Sequence, residues 1–287
     1  MSRIAYVNGR FVRYAEAGVS IEDRGFQFAD GVYEVWGVLG GRLTDWDGHA
    51  ERLERSLSEL KMAMPMSQAA LLTVLRETVR RNRVVDGIVY LQVTRGVARR
   101  DHAFPRPGTP LTVVVTAKSV DLAAEEAKAA RGVAVVTQPD IRWGRCDIKT
   151  VGLLPNALAK QAAREAGAYE AWLVDRDGYV TEGSSTNAWI VDGEGRLRTR
   201  DTGANILRGV TRKTLVTLAA ELQLPVLERP FTVAEALGAS EAFLTAATAF
   251  VTPVVTIDGK PVGSGRPGPV AGRLRSLYLQ QARNRSR

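Results

Sequence analysis

The sequence predicts an α+β protein of two domains. Strand-like and helix-like stretches follow one another in mixed order, without the regular βαβ alternation of a single parallel sheet and without a repeat. The composition shifts at Lys118–Arg131 (KSVDLAAEEAKAAR), a polar, Ala-rich run that reads as an interdomain connector. The length of 287 residues allows two modest domains. The expected division is therefore a domain over 1–118, a connector over 119–131 and a second domain over 132–287.

The elements follow from local pattern. Ile4–Tyr14 alternates around Asn8-Gly9, a dipeptide that suits the positive φ angles of a tight hairpin. Val32–Leu43 is strand-rich and broken at Gly40-Gly41, which predicts another tight turn. From Asp45 to about Met62 the spacing is helical, with Leu53, Leu57 and Leu60 on one face. Ser67–Arg83 predicts a second helix with Ser67 as its cap. Strands follow at Ile88–Arg95 and Leu111–Ala117. Beyond the connector come a strand at Val133–Gln138, a helix at Leu153–Ala166, and short strands at Tyr169–Val174, Tyr179–Glu182 and Ala188–Val191. Leu207–Leu222 is helical, with Val210, Leu215, Leu218 and Leu222 close to register. Strands at Pro225–Arg229 and Ala242–Thr245 flank a short helix near Val233–Leu237. Val254–Ile257, an Asp258-Gly259 turn and a helix from about Val270 complete the pattern.

Composition narrows the function classes. Apolar content of 45% and charged content of 24% are those of an ordinary globular protein. The single Cys146 excludes an intramolecular disulfide and fits a reducing compartment. The N-terminal stretch MSRIAYVNGRFVRY alternates from the start and lacks the apolar region of a signal peptide. No run approaches the roughly 18 apolar residues that span a bilayer, so a cytoplasmic protein without a membrane partner is expected. The net charge of +8 raises the question of nucleic acid. Its source is 32 Arg against 7 Lys, spread along the chain among 31 acids, with denser groups only at Arg95–Arg106 and in the terminal RNRSR. No nucleic-acid-binding motif accompanies them, and no nucleic-acid partner is expected.

With only His49 and His102 beside the lone cysteine, a metal site is not expected. There is no GxSxG elbow and no Gly-rich phosphate loop. Lysine chemistry is the better lead. Lys149 lies in RCDIKTVGLLPNALAK, with the apolar Leu153 and Leu154 rather than acids one helical turn on. A lysine that acts as a nucleophile must lose its proton, and partial burial away from carboxylates favours that loss. Taken alone, a solvated surface lysine remains the ordinary reading. In TEGSSTN, Glu182 at a strand exit is placed to hold a ring nitrogen protonated, although a polar turn explains it equally well. NILRGVTR opens a helix at Gly209 and Thr211, which offers an anion its free N–H groups and a hydroxyl, or is simple capping.

Together these segments resemble one family. RGFQFADGVYE, HAERL, QVTRG, DIKTVGLLPNALAKQAA, YEAWLVDRDGYVTEGSSTNAW and LRGVTR occur in the order seen in class IV aminotransferases, the fold-type IV enzymes that use pyridoxal 5'-phosphate (PLP). The resemblance spans essentially the whole chain. It implies a smaller N-terminal α/β domain and a larger C-terminal domain with a pseudo-barrel of strands. It implies that Lys149 is the Schiff-base lysine and the proton carrier, and that Glu182 pairs with the pyridine nitrogen. Arg52 would bind the phosphate together with Val210 and Thr211, and Leu207 would pack on the cofactor ring. Relatives often carry hydroxyl residues at the centre of FLTAATAFVT, whereas Ala246 and Ala247 stand here, which leaves the Ala247 N–H and the Thr248 hydroxyl for the phosphate.

The resemblance also implies a subgroup. Arg100-Asp101-His102 looks like the Arg-x-His carboxylate trap of D-amino-acid aminotransferases, completed by Tyr33. In relatives this loop reaches in from the neighbouring subunit, so a homodimer with a shared active site is implied. The expected reaction is ping-pong transamination between a D-amino acid such as D-alanine and a 2-oxo acid such as 2-oxoglutarate. A branched-chain L-aminotransferase, an (R)-amine transaminase and aminodeoxychorismate lyase share the fold and remain alternatives.

Overall fold

The structure, a computed structural model, describes residues 3–285, so the last two residues of the basic RNRSR group lie outside it. The chain forms two compact units. The first holds the N-terminal residues to Asp121 together with Ile148–Gly152; the second holds Leu122–Asp147 and Leu153–Asn284.

The first unit contains β1 (Ile4–Val7), β2 (Arg10–Arg13), α1 (Arg24–Phe28), β3 (Gly31–Leu39), β4 (Arg42–Leu43), α2 (Trp46–Glu59), α3 (Gln68–Arg81), β5 (Gly87–Thr94) and β6 (Thr112–Ser119). Its six strands form one sheet in the order β2-β1-β6-β5-β3-β4. Asn8 and Gly9 take φ of 45° and 91°, as the first hairpin requires. The Ser67 hydroxyl accepts from Ala70 N at 3.2 Å and caps α3. Trp36, Leu53, Leu57, Leu75 and Leu91 build the core between helices and sheet. Ile148 is buried in the same core, worth about 1.5–3 kcal/mol for an aliphatic side chain of this size. That burial anchors the short segment carrying Lys149 to this unit.

The second unit begins with α4 (Leu122–Arg131) and β7 (Val133–Pro139). The polar run expected as a connector thus ends β6 and forms a helix of the second unit. Then come α5 (Leu154–Glu165), β8 (Glu170–Val174), β9 (Val180–Gly183), β10 (Asn187–Val191), β11 (Leu197–Thr199) and α6 (Val210–Glu221). The unit closes with β12 (Val226–Glu228), α7 (Val233–Leu237), β13 (Glu241–Ala246), β14 (Phe250–Ile257), β15 (Lys260–Pro261) and α8 (Pro269–Arg285). The strands run in the order β12-β11-β10-β13-β14-β7-β8-β9, with β15 on β14. β9 stands at one end of this order yet packs against β10, so the strands from β10 round to β9 curl into the expected pseudo-barrel.

Short elements such as α1 and β11 escape the sequence pattern. α1 is five residues long, too short for a helical period, and is fixed by Asp23, which accepts from Gly25 N at 2.8 Å. β11 is three residues long. One expectation needs correction. Lys149 lies outside α5, which starts only at Leu154, with Pro155 in its first turn. Leu153 and Leu154 are therefore not its helical neighbours, and they are 39% and 71% exposed.

Candidate active site

Each unit carries part of the expected residue set. In the first unit, the Lys149 segment runs alongside the start of β3. Tyr33 N donates to Lys149 O at 3.0 Å, Val151 N donates to Gly31 O at 3.1 Å, and Val32 bridges Thr150. This pairing sets Lys149 Nζ over the Tyr33 ring, 4.1 Å from its centroid. Cation–π attraction and the half-buried setting hold the amine in place. Tyr33 also stacks on Tyr90 at 5.6 Å, and the Tyr90 hydroxyl donates to Gln92 at 2.8 Å.

Side chains alternate along a strand, so Glu34 points to the opposite face from Tyr33, toward α2. Glu34 is fully buried. Arg52 grips it with two bonds, Nε to Oε2 at 2.9 Å and Nη2 to Oε1 at 2.7 Å. His49, one turn before Arg52, places Nδ1 3.0 Å from Glu34 Oε1. Burial opposes ionisation of Glu34, but the charges and hydrogen bonds of Arg52 and His49 prevail and hold its carboxyl well below the ordinary range. Burial keeps the His49 imidazole below its ordinary value despite Glu34, so the neutral ring donates from Nδ1. Nothing in the sequence singles out Glu34, although it adjoins Tyr33. It fixes the plane of the guanidinium expected to meet a phosphate.

The expected carboxylate trap falls into two groups. Tyr33 lies with Lys149 and Tyr90, whereas Arg100 and His102 gather around Phe28 of α1, at 4.8 Å and 5.5 Å from its ring centroid. Buried Arg24 secures that loop. Its Nη1 donates to Asp101 O at 2.6 Å and Ala103 O at 3.2 Å, and its Nε pairs with Asp30 at 2.7 Å.

In the second unit, Glu182 is the penultimate residue of β9 and is 4% exposed. Its carboxylate accepts from Arg142, from Asn187 Nδ2 at 3.0 Å and from Leu207 N at 3.1 Å. Arg142 is in turn held by Asp140 at 2.8–2.9 Å, and the Thr181 hydroxyl donates to Asp140 at 2.7 Å. Burial works against both ions. Hydrogen bonds and charge between them nevertheless raise the pKa of Arg142 and lower that of Asp140, with Glu182 adding to the former. Glu182 and Leu207 are thus in direct contact. Arg142 and Asn187 are additions. The signal for Arg142 is an Asp-x-Arg pair just after β7, and Asn187 stands at the end of TEGSSTN.

Next to them, α6 opens without a side-chain cap. A Cβ on its N-cap residue, Gly209, would lie 1.9 Å from Asn187 Oδ1, so only glycine lets the helix start approach this closely. Val210 and Thr211 form the first turn and are buried. The Thr211 hydroxyl is buried without a hydrogen-bond partner in the described structure, a costly state for a hydroxyl that meets no ligand. Ala247 and Thr248 lie in the turn between β13 and β14. A helix start with unspent N–H groups and an unpaired hydroxyl suits a phosphate, and a buried carboxylate held by an arginine suits a protonated ring nitrogen. The residues present therefore fit PLP.

Cys146 donates to Trp143 O at 3.1 Å, and burial pushes its thiol up to about 11. Among the described residues there is no group of three or more His, Cys, Asp or Glu able to hold a metal ion, and no helix long and apolar enough to cross a membrane.

A pseudo-barrel unit with a buried acceptor and an open helix start, in a chain with a lysine set over a tyrosine ring, defines a fold-type IV PLP enzyme. The chain belongs to the class IV aminotransferases, whose sequence pattern matches residues 31–257. It is 43% identical over 269 residues to a D-alanine aminotransferase of Bacillus licheniformis, covering 94% of this chain and 93% of that one. A D-alanine aminotransferase of Staphylococcus haemolyticus is 38% identical over 281 residues, covering 98% of each. Among solved structures, the T.th. branched-chain amino acid aminotransferase with pyridoxamine 5'-phosphate superposes with a TM-score of 0.89 at 30% identity, over 99% of this chain and 95% of that one.

Proposed function

We propose that the protein transfers an amino group between a D-amino acid, such as D-alanine, and a 2-oxo acid, such as 2-oxoglutarate, in two half-reactions with PLP. The observation that carries the chemistry is Glu182, buried and fixed by Arg142, Asn187 and Leu207 N as an acceptor for a ring N–H. The D-alanine aminotransferases at 38–43% identity over nearly the whole chain support the substrate class.

PLP supplies the electron sink that lets the Cα–H bond of an amino acid break. The chain's own groups do the rest. Lys149 would be the attachment residue, and its Nζ would be the base that takes the proton leaving the substrate Cα. Glu182 accepts from the ring nitrogen, and Leu207, whose backbone N–H holds Glu182, packs on the ring. Arg52, oriented by Glu34, binds the phosphate with Val210 N, Thr211, Ala247 N and the Thr248 hydroxyl. Arg100, His102 and Tyr33 hold the substrate carboxylate, and the first two are supplied by a second copy of the chain. Arg100 and His102 contact Phe28 while Tyr33 contacts Lys149 and Tyr90, an arrangement that supports that homodimer. So do the exposed Phe26 and Phe104, at 74% and 58%, beside the loop. With a single, free cysteine, the chain fits a cytoplasmic enzyme.

The likeness to a branched-chain aminotransferase favours one second reading, transamination of L-leucine. An activity panel of D-alanine, D-glutamate, L-leucine and an (R)-amine separates the two. Turnover of L-leucine without turnover of D-alanine overturns the D-specific reading.

A further inference from the structure

α8 is a C-terminal helix to which the proposed function gives no role, yet one buried residue on it reaches the turn expected to face the cofactor phosphate. Arg275 is 6% exposed. Its Nη1 donates both its hydrogens to the backbone of that turn, to Ala249 O at 2.9 Å and to Val251 O at 2.8 Å. Its other edge pairs with Glu126 of α4, Nη2 at 2.9 Å and Nε at 3.3 Å. The guanidinium plane is thereby fixed from both sides.

The residue between those two carbonyls is Phe250, at φ +56°. A bulky side chain in the left-handed region is strained, by about 1–3 kcal/mol, and persists only where its surroundings impose it. Here they do. The Arg275 guanidinium lies 5.5 Å from the Phe250 ring centroid, the ring packs on Tyr278 of the same helix at 5.7 Å, and the Thr252 hydroxyl adds a second donor to Ala249 O at 2.9 Å. The helix itself is tied to the far end of β13, since Glu241 accepts from Val270 N and Ala271 N at 2.9 Å each. So α8 grips the β13–β14 hairpin at its base through Glu241 and at its tip through Arg275. The tip presents Ala247 and Thr248. An alanine at 247 provides only a backbone N–H to an anion, and a backbone donor is useful only when its direction is fixed.

We propose that Arg275 is a positioning residue for the phosphate cup. By holding the carbonyls on either side of Phe250, it aims the Ala247 N–H and the Thr248 hydroxyl at the phosphate and makes up for the missing hydroxyl side chains at 246 and 247. The inference rests on the assignment of this turn to the PLP phosphate.

The test compares PLP with pyridoxal, which lacks the phosphate, by spectroscopic titration of the full-length apoprotein. In R275M the preference for PLP over pyridoxal falls by about tenfold, the loss expected when a charge-assisted bond fixing the cup is removed. R275K keeps the charge but cannot hold both carbonyls in one fork, and it falls between the two. T211V, at the helix side of the cup, serves as the reference. If T211V lowers the preference and neither Arg275 variant does, the role of Arg275 is refuted while the cup stands. If PLP and pyridoxal weaken equally in the Arg275 variants, the residue serves general stability and the inference fails. If no variant changes the preference, the cup assignment fails with it. Should R275M not fold, R275K alone decides by the same ratio.

Discussion

Arg52 holds Glu34 through two parallel hydrogen bonds, 2.9 Å and 2.7 Å long, in a place where Glu34 has no exposed surface. A buried carboxylate of this kind is tolerated only because it is paired, and removing one partner costs about 3–5 kcal/mol. Glu34→Gln is expected to lose stability of that order in urea unfolding and to bind PLP more weakly, because Arg52 is no longer oriented.

The same pair sets an acid limit. Folded Glu34 titrates below the ordinary carboxylate range and unfolded Glu34 within it, so near pH 4 the unfolded chain binds more protons. Stability conferred by Glu34 is present above that range and is lost as pH falls through and below it. His49 acts in the same direction, since its folded pKa lies below the ordinary 6.5 and acid must charge a buried ring. The unfolding midpoint of the wild type is expected to drop steadily from about pH 6.5 downward, and Glu34→Gln is expected to flatten the lower part of that slope.

Glu182 is expected to matter for chemistry more than for binding. Glu182→Gln keeps a side chain of the same shape but cannot stay negative opposite a ring N–H. The rate of the half-reaction with D-alanine is expected to fall by about a hundredfold or more, with PLP still taken up. A variant with unaltered single-turnover rate would remove Glu182 from the mechanism.

The proposed sharing of the site between two copies makes a quantitative prediction. Lys149→Ala and Arg100→Gln proteins, each inactive alone, are unfolded, mixed in equal amounts and refolded. Half the dimers are then hybrids, and each hybrid has one site with both Lys149 and a partner's Arg100, so about a quarter of wild-type activity returns. No recovery would mean that both residues act within one protomer.

Cys146 lies in the sequence beside the lysine, but its thiol is pushed up to about 11 and bonded to Trp143 O. At neutral pH it carries about a hundredfold less thiolate than an ordinary cysteine. Alkylation by iodoacetamide is expected to be slower by that factor. Rapid loss of activity on alkylation would contradict this low reactivity.

Much of this is legible in the sequence, for a physical reason. Lys149, Glu182 and Thr211 each sit in a contiguous segment that resembles the family's, so each can be named from its own string. The two-unit α+β organisation follows from element order. Residues that act through a distant partner are not legible. Arg142 meets Glu182 across forty positions, Glu34 meets Arg52 across eighteen, and Arg275 reaches a turn about twenty-five positions upstream. Nothing local marks such pairs until the sheet and helices bring them together. Lys149 shows the opposite error. In the sequence the residues one helical turn ahead of it look like its neighbours, whereas its real neighbour is Tyr33, supplied by pairing with β3.

The central claim, a lysine-bound PLP that reacts with D-amino acids, is tested most directly by the absorption spectrum of the loaded protein. D-alanine added alone, with no 2-oxo acid, is expected to remove the visible band of the Lys149-bound cofactor within the mixing series, and L-leucine to leave it in place. Loss of the band with L-leucine and persistence with D-alanine would contradict the account.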